Sequence, residues 1–449
     1  MLSLVLSLLS PAQAFCGTYV SGSAVSLTNK ASVIVMARQE GRTTLSMRND
    51  FVGDLNDFGL VIPIPSSITE DNVRVISTGL FDKLEGYTQP REAAYTCDDW
   101  FGISEAAQAA DTGVKSLGSS GFGCGFGASS SEKGDTSSYE AQDSGVVVEE
   151  QFDLAEYSVW VLRAAGAEGL AAWLDSNGFV VPEGAQPIFD SYIEQDVRFL
   201  ALKIDPSRVS DPDWLSPLQI SYEDAAFQLP VRMGAISSAG VQDLVIYTLT
   251  EPTEGRVGIS NYREATPPVA ECMLDEGEDL PTWYAEKLEE SLGLPAEPDQ
   301  LAGQSGFAWI TEYGWGSGAC DPCTSVGPLS TTEVDQLGFD AHYGFYVSRL
   351  HLRYTPEAVT QDLMLYPSGY TDNVQQRYIQ RSWALESEVP LCSGEVLTEP
   401  GTCYSSEYWL RRATGDIVEP IRHSSTGGCG GNAAVLLLLP AAAMLRRRR

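Results

Sequence analysis

Short strand-forming segments recur along this chain, bounded by Gly, Pro, Asn or Asp, and no long strand–helix alternation separates them. That spacing constrains the fold most. Strands joined by tight turns pair antiparallel, whereas a parallel sheet needs a long crossover between each pair. "SVIVMA" (Ser32–Ala37) and "TTLSMRN" (Thr43–Asn49) flank "RQEGR". They predict a hairpin with Gly41 in its turn and Thr43, Leu45 and Met47 on one face. "FGLVIPIP" (Phe58–Pro65) predicts a buried strand ending at its prolines. Order resumes at "VVVEEQFDLAEYSVWVLRA", and "VRFLALKI", "LQISYED", "FQLPVRMGAI", "DLVIYTL", "FYVSRLHLRY" and "DLMLYP" predict further strands. In the "FQLPVRMGAI" segment, Phe227, Leu229, Val231 and Met233 alternate with Gln228, Pro230 and Arg232.

Helices are few and short. Leu170, Trp173 and Leu174 share one face over Glu168–Ser176, and Asn177-Gly178 is the stop signal. Pro281 opens "PTWYAEKLEESL" and Gly293 ends it. Ser330 and Glu333 are spaced as a capping box for "STTEVDQL", with Leu329 and Val334 placed as a hydrophobic staple. There is no internal repeat and no heptad pattern. The fold class expected is α+β, mostly antiparallel β-sheet with a few short helices and disulfides.

Length and composition permit a large core: the chain has 449 residues, 43% hydrophobic and 10% aromatic. Acidic residues outnumber basic ones by 61 to 28, for a formal net charge of −33. Such a surface repels nucleic-acid phosphates and anionic lipid headgroups, and no aromatic-rich basic groove offsets it. Nucleic acid is therefore not an expected partner. Residues 102–145 are rich in Gly and Ser and poor in branched side chains, which predicts a flexible insertion between an N-terminal β-rich part (15–101) and a main α+β part (146–422).

The two ends read as addressing signals. Leu2–Leu9 is an apolar run broken only by Ser3 and Ser7, Pro11 interrupts it, and Ala12-Gln13-Ala14 fits a small-x-small cleavage site, though the usual basic flank is missing. Residues 1–14 are thus expected to be a signal peptide cleaved before Phe15; a buried N-terminal helix is the alternative. Bulky Phe15 beside Cys16 argues against lipidation there. At the other end, glycines surround Cys429, Ala433–Leu445 is apolar but shorter than an ordinary span, and Arg446–Arg449 close the chain. Those arginines favour the cytoplasmic side. The order Gly-Cys, apolar segment, Arg cluster in residues 424–449 resembles the C-terminal sorting signals of myxobacterial surface proteins; a plain C-terminal anchor is the alternative. The resemblance implies cleavage near Cys429, a processing protease and sorting machinery as partners, transient membrane anchoring of the precursor, and delivery to the outer membrane, cell surface or medium.

Eight further cysteines, Cys16, Cys97, Cys124, Cys272, Cys320, Cys323, Cys392 and Cys403, fit an oxidising compartment and are disulfide candidates. Their pairing is open; Cys16 with Cys97 is one possibility.

The blocks "FCGTYV", "SMRNDF…DFGLVIPIP", "VVVEEQFDLAEYSVWVLRA", "LAAWLDSNGFVVPEG", "FLALKID", "ACDPC" and "YVSRLHLRY", in that order, resemble the bacterial family called domain of unknown function 2330. The resemblance runs from Phe15 to about Trp383. It implies an exported protein and supplies no catalytic residue.

Chemistry-bearing motifs are weak. Cys320-Asp321-Pro322-Cys323 has redox spacing, but Gly327-Pro328 delays the following helix to Ser330, so no helix dipole is aimed at Cys320 and a structural disulfide is the favoured reading. A zinc site lacks a second C-x-x-C or a His pair. The histidines are His342, His351 and His423. In "YVSRLHLRY", Arg349, His351 and Arg353 share one face and Tyr346, Leu350, Leu352 and Tyr354 the other. His351 between two cations is a poor metal ligand. Asn49, Asp50, Asp54, Asn56 and Asp57 offer some oxygens for calcium without EF-hand spacing, and a solvated acidic turn is the favoured reading. Pairs such as Asp98-Asp99 and Asp275-Glu276 carry little information in so acidic a chain. No nucleophile elbow, H-E-x-x-H, phosphate loop or dinucleotide fingerprint occurs, so no cofactor is expected.

Two function classes follow: an exported cell-surface binding or structural module, favoured by the missing motifs, and an exported enzyme, either a thiol-disulfide oxidoreductase using Cys320 and Cys323 or a hydrolase.

Overall fold

A computed structural model describes residues 18–21, 32–49, 58–93, 145–209, 215–236, 240–265, 280–293, 305–316, 326–375 and 377–379. The strands of the first half are β1 (Thr18–Ser21), β2 (Ser32–Gln39), β3 (Arg42–Asn49), β4 (Phe58–Ile64), β5 (Val73–Val75), β6 (Arg91–Ala93), β7 (Val146–Leu154), β8 (Tyr157–Ala164), β9 (Arg198–Ile204) and β10 (Leu218–Glu223). Those of the second half are β11 (Gln228–Leu229), β12 (Gln242–Thr250), β13 (Val257–Ile259), β14 (Phe307–Gly316), β15 (Tyr346–Tyr354), β16 (Leu363–Pro367), β17 (Val374–Gln375) and β18 (Arg377–Ile379). The α-helices are α1 (Gly79–Thr88), α2 (Ala167–Ser176), α3 (Ala185–Ile193), α4 (Arg232–Ile236), α5 (Leu280–Glu290) and α6 (Thr331–Gln336). The chain divides into two units. Met1–Arg91, Val114–Pro267 and Pro281–Arg377 make the first, and Glu92–Gly113, Pro268–Leu280 and Tyr378–Arg449 the second. Nearly all described residues belong to the first.

The first unit is a stack of helix, sheet, sheet and helix. One sheet has the order β1-β4-β9-β8-β7 and is antiparallel throughout. The other has the order β17-β14-β15-β12-β2-β3-β10-β5 and is antiparallel except where β12 meets β2. The α+β class rich in antiparallel pairing therefore holds, with one parallel contact that the turn spacing did not indicate. The predicted hairpin is β2–β3. Its two-residue turn places Glu40 at φ +50° and Gly41 at φ +82°, the left-handed pair that matches the twist of the flanking strands.

Strand alternation feeds two cores at once. Ile34, Met36, Leu244, Ile246, Leu350 and Leu352 turn toward the other sheet and meet Leu60, Ile62, Val159, Val161, Leu200 and Leu202. On the opposite face of the larger sheet, Val33, Val35, Leu249 and Val347 pack under α1 and α6 through Leu80, Phe81, Leu84 and Val334. The smaller sheet is covered likewise, with Val61, Leu162, Phe199 and Ala201 under Leu170, Trp173 and Leu174 of α2 and Phe189 of α3. Sheets buried on both faces need apolar residues at both parities, which is why these strands read as nearly continuous apolar runs. Each buried Leu or Ile side chain stabilises the fold by about 1.5–3 kcal/mol.

Two predicted helix signals appear as hydrogen bonds. Asn177 Nδ2 donates to the Trp173 carbonyl at 2.8 Å, and Gly178 stands at φ +80° to end α2. At α6 the Ser330 N–H donates to Glu333 Oε2 at 2.7 Å and the Glu333 N–H to Ser330 Oγ at 3.3 Å, with Leu329 and Val334 both buried. One predicted strand is corrected. "FQLPVRMGAI" is extended only at Gln228–Leu229, and Arg232–Ile236 is helical. Pro230 offers no N–H to a ladder, and Asp362 Oδ1 accepts the N–H groups of Val231 (3.0 Å) and Arg232 (3.3 Å) where the helix begins. Leu229 and Val231 therefore bury between the sheets while Met233 swings into the α2–α3 core. Helices α1 and α3 and strand β14 were not anticipated. No described helix is long and apolar enough to cross a membrane.

Candidate functional site

Between the apolar patch under α1 and α6 and a second one under α5, the outer face of the larger sheet carries a belt of charge. Parity places it there. On β15, Leu350 and Leu352 face the other sheet, so Arg349, His351 and Arg353 face out; on β12, Leu244 and Ile246 face in, so Asp243 and Tyr247 face out. On β14 the pairing skips Glu312: Thr311 opposes Leu350 and Tyr313 opposes Arg349. This bulge changes the parity. Ala308 and Ile310 before it and Tyr313 and Trp315 after it all face outward, and Glu312 is inserted among them with no solvent exposure. Helix α1 contributes Glu85, and α5 contributes Tyr284 and Glu289.

The groups are tied to one another. Arg349, 4% exposed, donates from Nη2 to Glu85 Oε1 at 2.9 Å and from Nε to the Tyr247 hydroxyl at 3.2 Å, and its Nη1 contacts Glu312 Oε2. The Tyr247 hydroxyl donates to Glu85 Oε2 at 2.9 Å. His351 Nδ1 lies 2.9 Å from Glu312 Oε1, and Nε2 lies 3.1 Å from Asp243 Oδ1. The Tyr284 hydroxyl donates to Glu312 Oε1, and its ring is 5.8 Å from the imidazole at 32°. Arg353 reaches Asp243 Oδ2 (3.7 Å), Glu289 Oε2 (3.6 Å) and the Ala285 carbonyl (3.1 Å).

Electrostatics follow from this closure. Burial raises the Glu85 carboxyl pKa, but the charge and hydrogen bond of Arg349 and the hydrogen bond of Tyr247 outweigh it and hold it below the ordinary 4.5. Asp243 behaves alike: burial raises it, and His351 and Arg353 pull it below 3.8. Burial pushes the Tyr247 phenol well up, so it stays a donor. In the imidazolium form both His351 N–H groups find a carboxylate; the neutral ring donates to only one. Both ring nitrogens face carboxylates. The belt clamps α1 and α5 onto the sheet.

His351, Arg349 and Arg353 are thus brought together on one face, as the alternation predicted, but as a buried and compensated set. Sequence reasoning missed the acids that compensate them. Glu312 stands in an unread strand; its signal was a carboxylate inside the apolar run "AWITEYGW". Glu85 stands on an unread helix. His342 is on the exposed turn Ala341–Tyr343, where its N–H donates to Asp340 Oδ1 at 2.9 Å. Asn49 ends β3. Asp50, Asp54, Asn56, Asp57, Asp98, Asp99, Asp275, Glu276, His423 and all nine cysteines lie outside the described residues. Among the described residues, no group of three or more His, Cys, Asp or Glu side chains is placed to hold a metal ion.

Residues 10–366 match the family described as an uncharacterized protein conserved in bacteria, domain of unknown function 2330, and the chain belongs to that family. No curated protein matches the chain. The crystal structure of baculovirus P35 aligns with 80% of this chain and 98% of its own, at 10% identity and a TM-score of 0.24, a likeness too slight to carry an argument.

Proposed function

We propose that the protein is exported and displayed at the cell surface as a binding or structural module. The closed belt is the observation that carries the module reading. Each ring nitrogen of His351 faces a carboxylate, Arg349 hydrogen-bonds Glu85 and Tyr247 and ion-pairs with Glu312, and Glu312 accepts from Tyr284 of α5, so the set holds two helices to a sheet. A constellation of this kind stiffens a scaffold. Export is supported by the apolar run and cleavage pattern of residues 1–14, and surface delivery by the Gly-Cys tail of residues 424–449. That compartment favours disulfides among Cys16, Cys97, Cys124, Cys272, Cys320, Cys323, Cys392 and Cys403.

Intact-mass measurement of protein shaved from living cells of the native host, with and without reductant, tests the reading. The expected product begins at Phe15, ends near Cys429 and gains about two mass units per disulfide on reduction. Protein confined to the cytosol and still carrying Leu2–Leu9 and Arg446–Arg449 would refute it.

A further inference from the structure

A strand at the end of a sheet leaves N–H and C=O groups unpaired, and folded chains usually keep such strands short. That holds at every other sheet end among the described residues: β1 has four residues, β5, β6, β13 and β18 have three, and β11 and β17 have two. Strand β7, at the end of the five-stranded sheet, has nine. It pairs with β8 alone, and its outer edge makes no main-chain hydrogen bond among the described residues. A bulge divides it, because Val148 opposes Leu162 and Glu150 opposes Val161. The bulged Glu149 is held by Arg198 Nε at 3.2 Å and by the Ser67 hydroxyl, which donates at 2.8 Å. Beyond it, Glu150–Leu154 pairs with β8 without a break. Phe152 and Leu154 pack against the layer between the sheets and are only half-buried at its rim. Gln151 and Asp153 point the other way and are exposed. Asp153 accepts the Ser158 hydroxyl at 2.7 Å and stands 3.6 Å from Arg208 Nη2, while Glu150 has no hydrogen bond or ion pair from its side chain among the described residues.

We infer that Glu150–Leu154 is a docking edge for an extended segment of a basic partner protein, which adds to the five-stranded sheet as an antiparallel strand beyond β7. Main-chain hydrogen bonds to the open edge supply the affinity, and side chains at alternate positions supply the specificity. Phe152 and Leu154 match apolar residues on the added strand, and Glu150 and Asp153 match cations. Charge decides the occupant. Strand β7 carries Glu149, Glu150 and Asp153 and no Lys or Arg, on a chain of net charge −33. A second copy would set like charges side by side, whereas a basic strand is drawn in and meets opposite ones. The acids that keep the edge from pairing with copies of itself are thus the ones that select its partner. The pinned bulge ends the regular edge on one side, and the turn at Ala155, φ +49°, ends it on the other. The docking edge names a partner for the binding-module reading and rests on that reading. Its test uses the purified chain, so a failure there leaves the mass measurement of export and processing untouched.

Hydrogen exchange of the full chain, read by mass spectrometry with and without acetyl-SVKVTKS-amide, tests the assignment. Paired antiparallel, the valines of this peptide meet Leu154 and Phe152, and its lysines meet Asp153 and Glu150. Exchange is expected to slow at Glu150–Leu154, and calorimetry to register binding. Acetyl-SPKPTKS-amide has the same charge, but its prolines carry no N–H and cannot continue a ladder, so it should neither bind nor slow exchange there. Acetyl-SVEVTES-amide can form the strand and should be rejected by its charge. Glu150→Lys should weaken binding of the lysine peptide about five-fold. Glu357→Lys, an equal change of charge at an exposed site on another element, should leave it unchanged. No slowing at Glu150–Leu154, equal binding of the proline or glutamate peptide, or an equal loss in the two variants would overturn the assignment. So would slowing of the same amides by raised protein concentration alone, which would give the edge to a second copy of this chain.

Discussion

Replacing Glu312 by Gln isolates the charge at the centre of the belt. The side chain has no solvent exposure and meets three partners: Arg349, His351 and Tyr284. An amide of the same shape keeps one acceptor and loses the charge, leaving Arg349 short of a counter-ion inside the fold. Breaking a buried pair from one side costs about 3–5 kcal/mol. Arg349 retains Glu85 and Tyr247, and His351 retains Asp243, so the lower end applies, about 3 kcal/mol. At about 2–4 °C per kcal/mol for units of this size, the melting temperature falls by about 6–12 °C. Glu289→Gln is the control. That carboxylate is 44% exposed and stands 3.6 Å from Arg353, an arrangement worth at most about 1 kcal/mol. Urea unfolding and calorimetry of the two variants beside wild type supply the numbers. A Glu312→Gln protein within 1 kcal/mol of wild type, or one no weaker than the Glu289→Gln control, would refute the account of the belt as a clamp.

Two further outcomes follow from the same structure. The folded-state pKa values of Glu85 and Asp243 lie below their ordinary 4.5 and 3.8, so the unfolded chain binds more protons in that range; their contribution is complete above about pH 5 and is lost as pH falls through the depressed values. Urea midpoints measured from pH 7 downward should show this decline, shallower in Asp243→Asn. Ser330→Ala removes the side-chain half of the α6 capping box and should cost about 1 kcal/mol at neutral pH by the same assay, with a shallower decline in acid, because the Ser330 hydroxyl helps to hold the Glu333 carboxyl below its ordinary 4.5.

What was legible in the sequence is what is local. The β2–β3 turn, the Asn177-Gly178 stop and the Ser330–Glu333 box each depend on residues a few positions apart, and each stands where its chemistry placed it. Helix α1 escaped notice because Gly79 and Gly86 dilute the pattern of Leu80, Phe81, Leu84 and Tyr87; Gly86 lies so close to Val326 that a Cβ would stand 3.1 Å from a methyl carbon. Helix α3 begins after Gly184 at φ +86° and carries Pro187 in its first turn, residues that read as loop punctuation. Strand β14 fits no single period, because its bulge switches parity midway. The belt was invisible for a different reason. Its contacts join residues far apart, 264 positions between Glu85 and Arg349 and 108 between Asp243 and His351, so no window of sequence contains both partners.

The bulge and the belt also explain each other. With residue 312 paired in a regular, unbulged strand, either Ala308 and Ile310 or Tyr313 and Trp315 would face the other sheet, and one outer patch would lose its apolar cover. With the bulge, a carboxylate with no solvent exposure must find partners, and Arg349 and His351 stand on the neighbouring strand at the level of the irregularity. A slip of β14 by one residue would drive Glu312 toward the apolar layer between the sheets, where Leu350 and Leu352 offer it nothing. The charge therefore penalises the wrong pairing more than it favours the right one. A scaffold that covers both faces of both sheets with apolar residues has few other means of telling one register from the next.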